Sequence, residues 1–134
     1  MPPERTGPED PGEWLRRARS NLARARAKYV DADVLLEDLC FDTQQACEKC
    51  LKALFVFKGR PVPRTHSIGD LLTALSGLGF DVPEAVMASA VLTDYAVSAR
   101  YPGPSEPVTV DDLAEAIRLA DGVLSWASSI VSGA

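Results

Sequence analysis

Apolar residues recur along this chain at spacings of three and four, and no stretch shows the strict alternation of a half-buried strand, so the predicted elements are helices. Leu15, Ala18, Leu22, Ala25 and Tyr29 form one stripe on a first helix that starts near Gly12. Its arginines point outward and Trp14 anchors its start. Tyr29 to Asp33 reads as a turn, with Asp31 or Asp33 as N-cap of the next helix. That second helix runs from about Val34 to Lys58, where Gly59 stops it and Pro61 and Pro63 keep it from resuming. Arg60 to Thr65 is then an extended connector, because a residue before proline is biased out of the helical region. Ser67 with Asp70 is a capping pair that opens a short third helix to about Leu78. Pro83 and Glu84 open a fourth helix that carries to Arg100. A proline-rich loop from Tyr101 to Val108 leads to a fifth, capped by Thr109 with Asp112, whose stripe is Leu113, Ile117, Ala120, Leu124, Ala127 and Val131. The fold class predicted is all-α, an up-and-down helical bundle of four long helices plus one short helix.

The second helix departs from simple amphipathicity. Gln44, Gln45, Glu48, Lys49 and Lys52 share one side, while Ala46, Cys47, Cys50, Ala53 and Leu54 fill most of the other. The helix is therefore expected to be mostly buried with one polar strip, facing either a ligand cleft or a subunit interface.

Composition adds bounds. At 134 residues, 46% hydrophobic and 25% charged, the chain has the balance of one soluble globular domain. Residues 1–11, with four prolines and three acids, are expected to be a flexible leader to a domain spanning 12–132. No apolar run approaches the ~20 residues that span a bilayer, and the start lacks a signal-peptide segment, so the expected location is cytoplasmic with no membrane partner. A net charge of −5 argues against non-specific coating of nucleic acid. The cations nevertheless cluster: Arg16, Arg17, Arg19, Arg24, Arg26 and Lys28 in one group, and Lys49, Lys52, Lys58, Arg60 and Arg64 in another. Side by side the two groups would hold a phosphate-bearing ligand; the other reading is that they solvate helix faces.

Candidate chemistry is sparse. Cys47-x-x-Cys50 lies inside a helix rather than at an N-terminus that would stabilise a thiolate, and a zinc site would lack ligands, so the cysteines read as buried small hydrophobes. No metal and no cofactor is expected. His66 is the only histidine, which excludes mechanisms needing two in one chain. It reads as a local hydrogen-bonding residue at a helix entrance; as a general base it needs a partner that holds its tautomer. At the end of the fourth helix, Arg100 either complements the helix C-terminus or contacts a phosphate or base, with Tyr95 or Tyr101 stacking, and the sequence does not separate the two.

The segment QQACEKCLKALFVFKGRPVPRTHSIGDLL, with Asp94-Tyr-Ala-x-x-x-Arg-Tyr-Pro after it, resembles the HEPN family (higher eukaryotes and prokaryotes nucleotide-binding domain) of the small prokaryotic stand-alone type, over about Trp14 to Ile130. The resemblance implies a four- or five-helix bundle, a homodimer through helix packing, and a minimal nucleotidyltransferase partner in a toxin–antitoxin-type pair. Catalytic members are metal-independent RNases with an Arg, four to six residues, then a His. Here Arg100 holds the arginine's place, but Ser105, Glu106 and Pro107 stand where the histidine would fall. Arg60 and His66 have the spacing but lie in the connector. The resemblance thus implies a non-catalytic nucleotide- or RNA-binding dimer with Gln44, Glu48, Lys49, Lys52, Tyr95, Arg100 and Tyr101 as ligand-binding candidates. The alternatives are an RNase toxin using Arg100, or Arg60 with His66, and a purely structural assembly module.

Overall fold

A computed structural model describes residues 9–27, 32–95 and 107–133. Helix α1 (Pro11–Arg26) begins inside the stretch expected to be leader. Asp10 is its N-cap and accepts from the Gly12 amide at 2.9 Å, and Pro11 occupies a first-turn position whose missing N–H costs nothing. Helix α2 (Leu36–Phe57) has Leu35 at its N-cap with no side-chain cap bond, so neither predicted aspartate serves; Asp33 lies upstream of the cap and Asp31 is outside the described residues. Glu37 and Asp38 in the first turn supply negative charge at the dipole's positive end instead. At its other end Gly59 takes φ +68°, and the Arg60 amide donates to Phe55 O at 2.9 Å, which closes the helix as expected.

Helix α3 (Ile68–Gly77) opens on the predicted pair, Ser67 Oγ accepting from the Asp70 amide at 3.2 Å. The fourth helical stretch differs from the long helix expected. Its described part opens on a single α-turn, α4 (Glu84–Met87), continues as a tighter 3₁₀ segment from Ala88 to Thr93, and is α-helical again at Asp94 and Tyr95. Ser89 supplies a reason: its hydroxyl donates to Val86 O at 2.6 Å, a local bond that competes with regular helix hydrogen bonding. Helix α5 (Val110–Ser132) carries a complete capping box, with Asp112 N on Thr109 Oγ1 at 3.0 Å and Thr109 N on Asp112 Oδ2 at 2.9 Å.

The architecture is an all-α, up-and-down bundle, and cross-helix pairs give its directions. Asn21 and Arg24 meet Asp42, and Asn21 meets Lys49, so α1 and α2 are antiparallel. Arg26 pairs with Asp121 and Arg19 with Ser128, so α1 is antiparallel to α5 as well. The connector brings the chain back along α2 so that His66 meets Gln44 and Glu48 before α3 begins. Helix α2 is the hub, packing on α1, α3 and α5. Leu51 and Leu54 on α2, Leu22 on α1, Leu72 and Leu75 on α3, and Leu113 and Val123 on α5 are fully buried, each burial contributing roughly 1.5–3 kcal/mol. All three cysteines lie in this core, free and inaccessible, as packing groups. Among the described residues no helix is long and apolar enough to cross a membrane.

Candidate functional site

Glu48 is the centre of the polar strip on α2. Its position one turn from both Gln44 and Lys52 stacks the three side chains on one face. Lys52 Nζ donates to Glu48 Oε1 at 2.7 Å and Gln44 Nε2 to Oε2 at 3.0 Å, with Gln45 Nε2 also on Oε2 at 3.3 Å. The fourth partner comes from outside the helix: His66 Nδ1 lies 2.8 Å from Oε1. Gln44 Nε2 reaches His66 O as well, at 3.3 Å, so the backbone and the ring of His66 are both fastened to α2.

Burial decides what these groups can do. Gln44, Glu48 and Lys52 are buried, whereas the His66 side chain is 63% exposed. Burial by itself would raise the Glu48 carboxyl, but hydrogen bonds from Lys52, His66 and Gln44, with the Lys52 charge, leave it below its ordinary value. Glu48 is therefore a carboxylate, an acceptor only, and the Nδ1–H of His66 is the donor. In the neutral ring that fixes Nε2 as a free acceptor. A general base here would need a partner to hold its tautomer, and Glu48 stands in that place.

The strip is split. Lys49 turns to α1, where its Nζ donates to Asn21 Oδ1 at 2.7 Å; Asn21 Nδ2 donates to Asp42 Oδ1 at 2.8 Å, and Arg24 Nη2 reaches the same oxygen at 2.7 Å. Burial, then the neighbouring Arg24 and Arg17 charges, push the Lys49 ammonium below its usual range. Reasoning from sequence missed Asn21, Arg24 and Asp42 as a polar seam. The available signal was Asn21 itself, a polar residue between Ala18 and Ala25 on the apolar stripe.

The two basic groups have different fates. On α1, Arg16 and Arg17 pair with Glu13, Arg24 with Asp42 and Arg26 with Asp121. In the connector, Lys58, Arg60 and Arg64 are exposed and form no salt bridge among the described residues; Lys58 Nζ sits 5.3 Å above the centre of the Phe80 ring. No hydrogen bond joins Arg60 to His66 among the described residues.

Tyr95 is not brought to the Glu48 network. It lies against Cys40, near Asp112, and burial with those neighbours holds its hydroxyl above the ordinary range. Arg100 and Tyr101 lie outside the described residues. No group of three or more His, Cys, Asp or Glu suited to a metal occurs among the described residues.

The model of the HEPN domain family matches residues 12–130. Among solved structures, the chain is similar to the crystal structure of an archaeal HEPN homologue, at 29% sequence identity and a TM-score of 0.71, covering 91% of this chain and 98% of that one. No curated protein matches the sequence.

Proposed function

This chain belongs to the HEPN domain family, and we propose that it acts as a non-catalytic dimer that binds a nucleotide or RNA, beside a minimal nucleotidyltransferase in a cytoplasmic toxin–antitoxin-type pair. In this reading 12–132 is the domain, entered through the Asp10 cap and Pro11 of α1, and the residues before that cap are its leader. The observation that carries the binding reading is His66: an exposed ring whose orientation is set from behind by a buried carboxylate. Such a ring is preorganised, so a ligand does not have to order it. Its outward Nε2 accepts from a ribose hydroxyl or base amine, and the protonated ring contacts phosphate. Gln44, Glu48 and Lys52 serve as the buried support of that contact. Lys49, Tyr95, Arg100 and Tyr101 stay in the proposed ligand set on the strength of the family resemblance.

Titration of the purified protein with nucleotides and short RNAs, read by calorimetry, tests this. Saturable binding that weakens in His66→Ala is the expected result. Absence of binding to every nucleotide and RNA, together with failure to capture a nucleotidyltransferase, rejects it in favour of the structural assembly module.

One observation favours a second reading, the RNase toxin. A carboxylate–imidazole pair is the arrangement that readies a general base. His66 Nε2 would take the ribose 2′-hydroxyl proton as that oxygen attacks phosphorus to give a 2′,3′-cyclic phosphate, and the 5′-oxygen would leave as a hydroxyl after taking a proton from water, with Arg60 or Arg100 on the phosphate charge. RNA cleavage lost in His66→Ala would establish it; RNA left intact by the wild-type protein rejects it.

A further inference from the structure

The connector between α2 and α3 runs back along the helix it has just left. It starts at Lys58, where α2 ends, and returns to Glu48 through His66. The nine residue steps from Glu48 to Phe57 rise about 13.5 Å, so the connector lies over roughly that length of helix. Val62 packs against the core, and Pro61 and Pro63 stiffen the backbone on either side. Lys58, Arg60, Arg64 and His66 are left on the outside. Phe57, 41% exposed, adds an aromatic ring at the end where the connector starts. Two carboxylates reach the stretch: the buried Glu48, on His66, and Asp70, whose Oδ2 accepts from Thr65 Oγ1 at 3.5 Å.

We propose that this connector is a binding track for a short single-stranded RNA segment, with Lys58, Arg60 and Arg64 on successive phosphates, His66 at one end and Phe57 stacking on a base at the other. The inference deepens the RNA-binding reading above and rests on it.

Three observations select this ligand. Lys58, Arg60 and Arg64 form no ion pair among the described residues, whereas four arginines of α1 share three acids, Glu13, Asp42 and Asp121. A row of cations beside an exposed aromatic ring suits a single strand, whose unstacked bases are free to lie on the ring; bases in a duplex are not. The net charge of −5 gives the chain no general attraction for nucleic acid. A duplex, with one phosphate per ~1.7 Å, carries more negative charge than the track's cations offset, and the net negative charge of the chain opposes the excess.

The test is fluorescence anisotropy with a labelled RNA of about eight nucleotides, single-stranded and as a duplex, between about 50 and 200 mM salt. Three phosphate contacts on a single strand predict a log–log salt slope of about −2, from about −0.7 per contact. Arg60→Ala with Arg64→Ala should bring the slope to about −0.7 and weaken binding at the lower salt about tenfold or more. Phe57→Ala should weaken binding with the slope unchanged, and Arg16→Ala, at an arginine already paired with Glu13, should change neither. The substituted arginines are exposed, and circular dichroism verifies that the variants fold. RNA binding that is unaltered in the double variant, or that prefers the duplex, overturns the track and leaves the binding function standing. No binding to any RNA or nucleotide overturns the function itself and the track with it.

Discussion

Nδ1 of His66 and Nζ of Lys52 share one oxygen of Glu48, at 2.8 Å and 2.7 Å, so a single buried carboxylate oxygen joins the entrance of α3 to the middle of α2. With side-chain exposures of 10% for Lys52 and 5% for Glu48, the ion pair is well screened from water. Removing one partner strands the other. Glu48→Ala is expected to cost about 3–5 kcal/mol in urea unfolding, and the double replacement Glu48→Leu with Lys52→Met to recover most of that loss. Equal losses in the single and double variants would show that the cost is one of packing, not of an unpaired ammonium.

Acid stability follows from the same carboxylate. Glu48 is held below its ordinary value of 4.5, so the folded state binds fewer protons there than the unfolded chain. Its contribution is fully present above pH 4.5 and is lost as pH falls through the lowered folded value. Glu48→Gln, which does not titrate, should therefore be less stable than wild type at neutral pH, with the gap narrowing below pH 4.5. A gap that stays constant on acidification would show that Glu48 is not the titrating group.

The thiols should be inert while the protein is folded. Burial, chiefly, pushes Cys40 and Cys47 up to about 12 and Cys50 well above its ordinary value, and all three are inaccessible. A disulfide reagent at neutral pH is expected to label none in native protein and all in urea, at a rate that tracks unfolding. Rapid native labelling of Cys47 or Cys50 would show that the pair is reactive rather than buried packing.

Gly59 occupies a left-handed conformation, φ +68°, with nothing near the place of a Cβ. Gly59→Ala therefore costs only the conformational preference, about 1–2 kcal/mol. A drop in melting temperature without a change in the circular dichroism spectrum is the expected observation; no drop would mean that the turn relaxes to another conformation.

Much of the fold was legible because local chemistry sets helix ends. The Gly59 stop, the Ser67–Asp70 pair and the Thr109–Asp112 box each act over a few residues, and the structure holds all three. Departures from these local signals were harder to read. Leu35 rather than an aspartate begins α2, and the Ser89 hydroxyl lies beside Cys47, at 3.4 Å, in a 3₁₀ segment where a regular helix was predicted. For the candidate site, the polar side of α2 was legible but the partners of its residues were not, since the bond from Glu48 to His66 crosses 18 positions and that from Lys49 to Asn21 crosses 28. Periodicity reports which face a residue occupies, not what the next element places against it.

The connector is fastened at both ends to the same helix, by the Arg60 amide on Phe55 and by His66 on Glu48. A span held in this way cannot swing out as a hinged flap. It frees itself only by breaking the buried bonds of Glu48 or unwinding the last turn of α2, so its opening belongs to the cooperative unit of the core. In hydrogen exchange the amides of Gly59 and Arg60 would then report on the stability of the central helix, although they sit in what looks, by composition, like an ordinary surface loop.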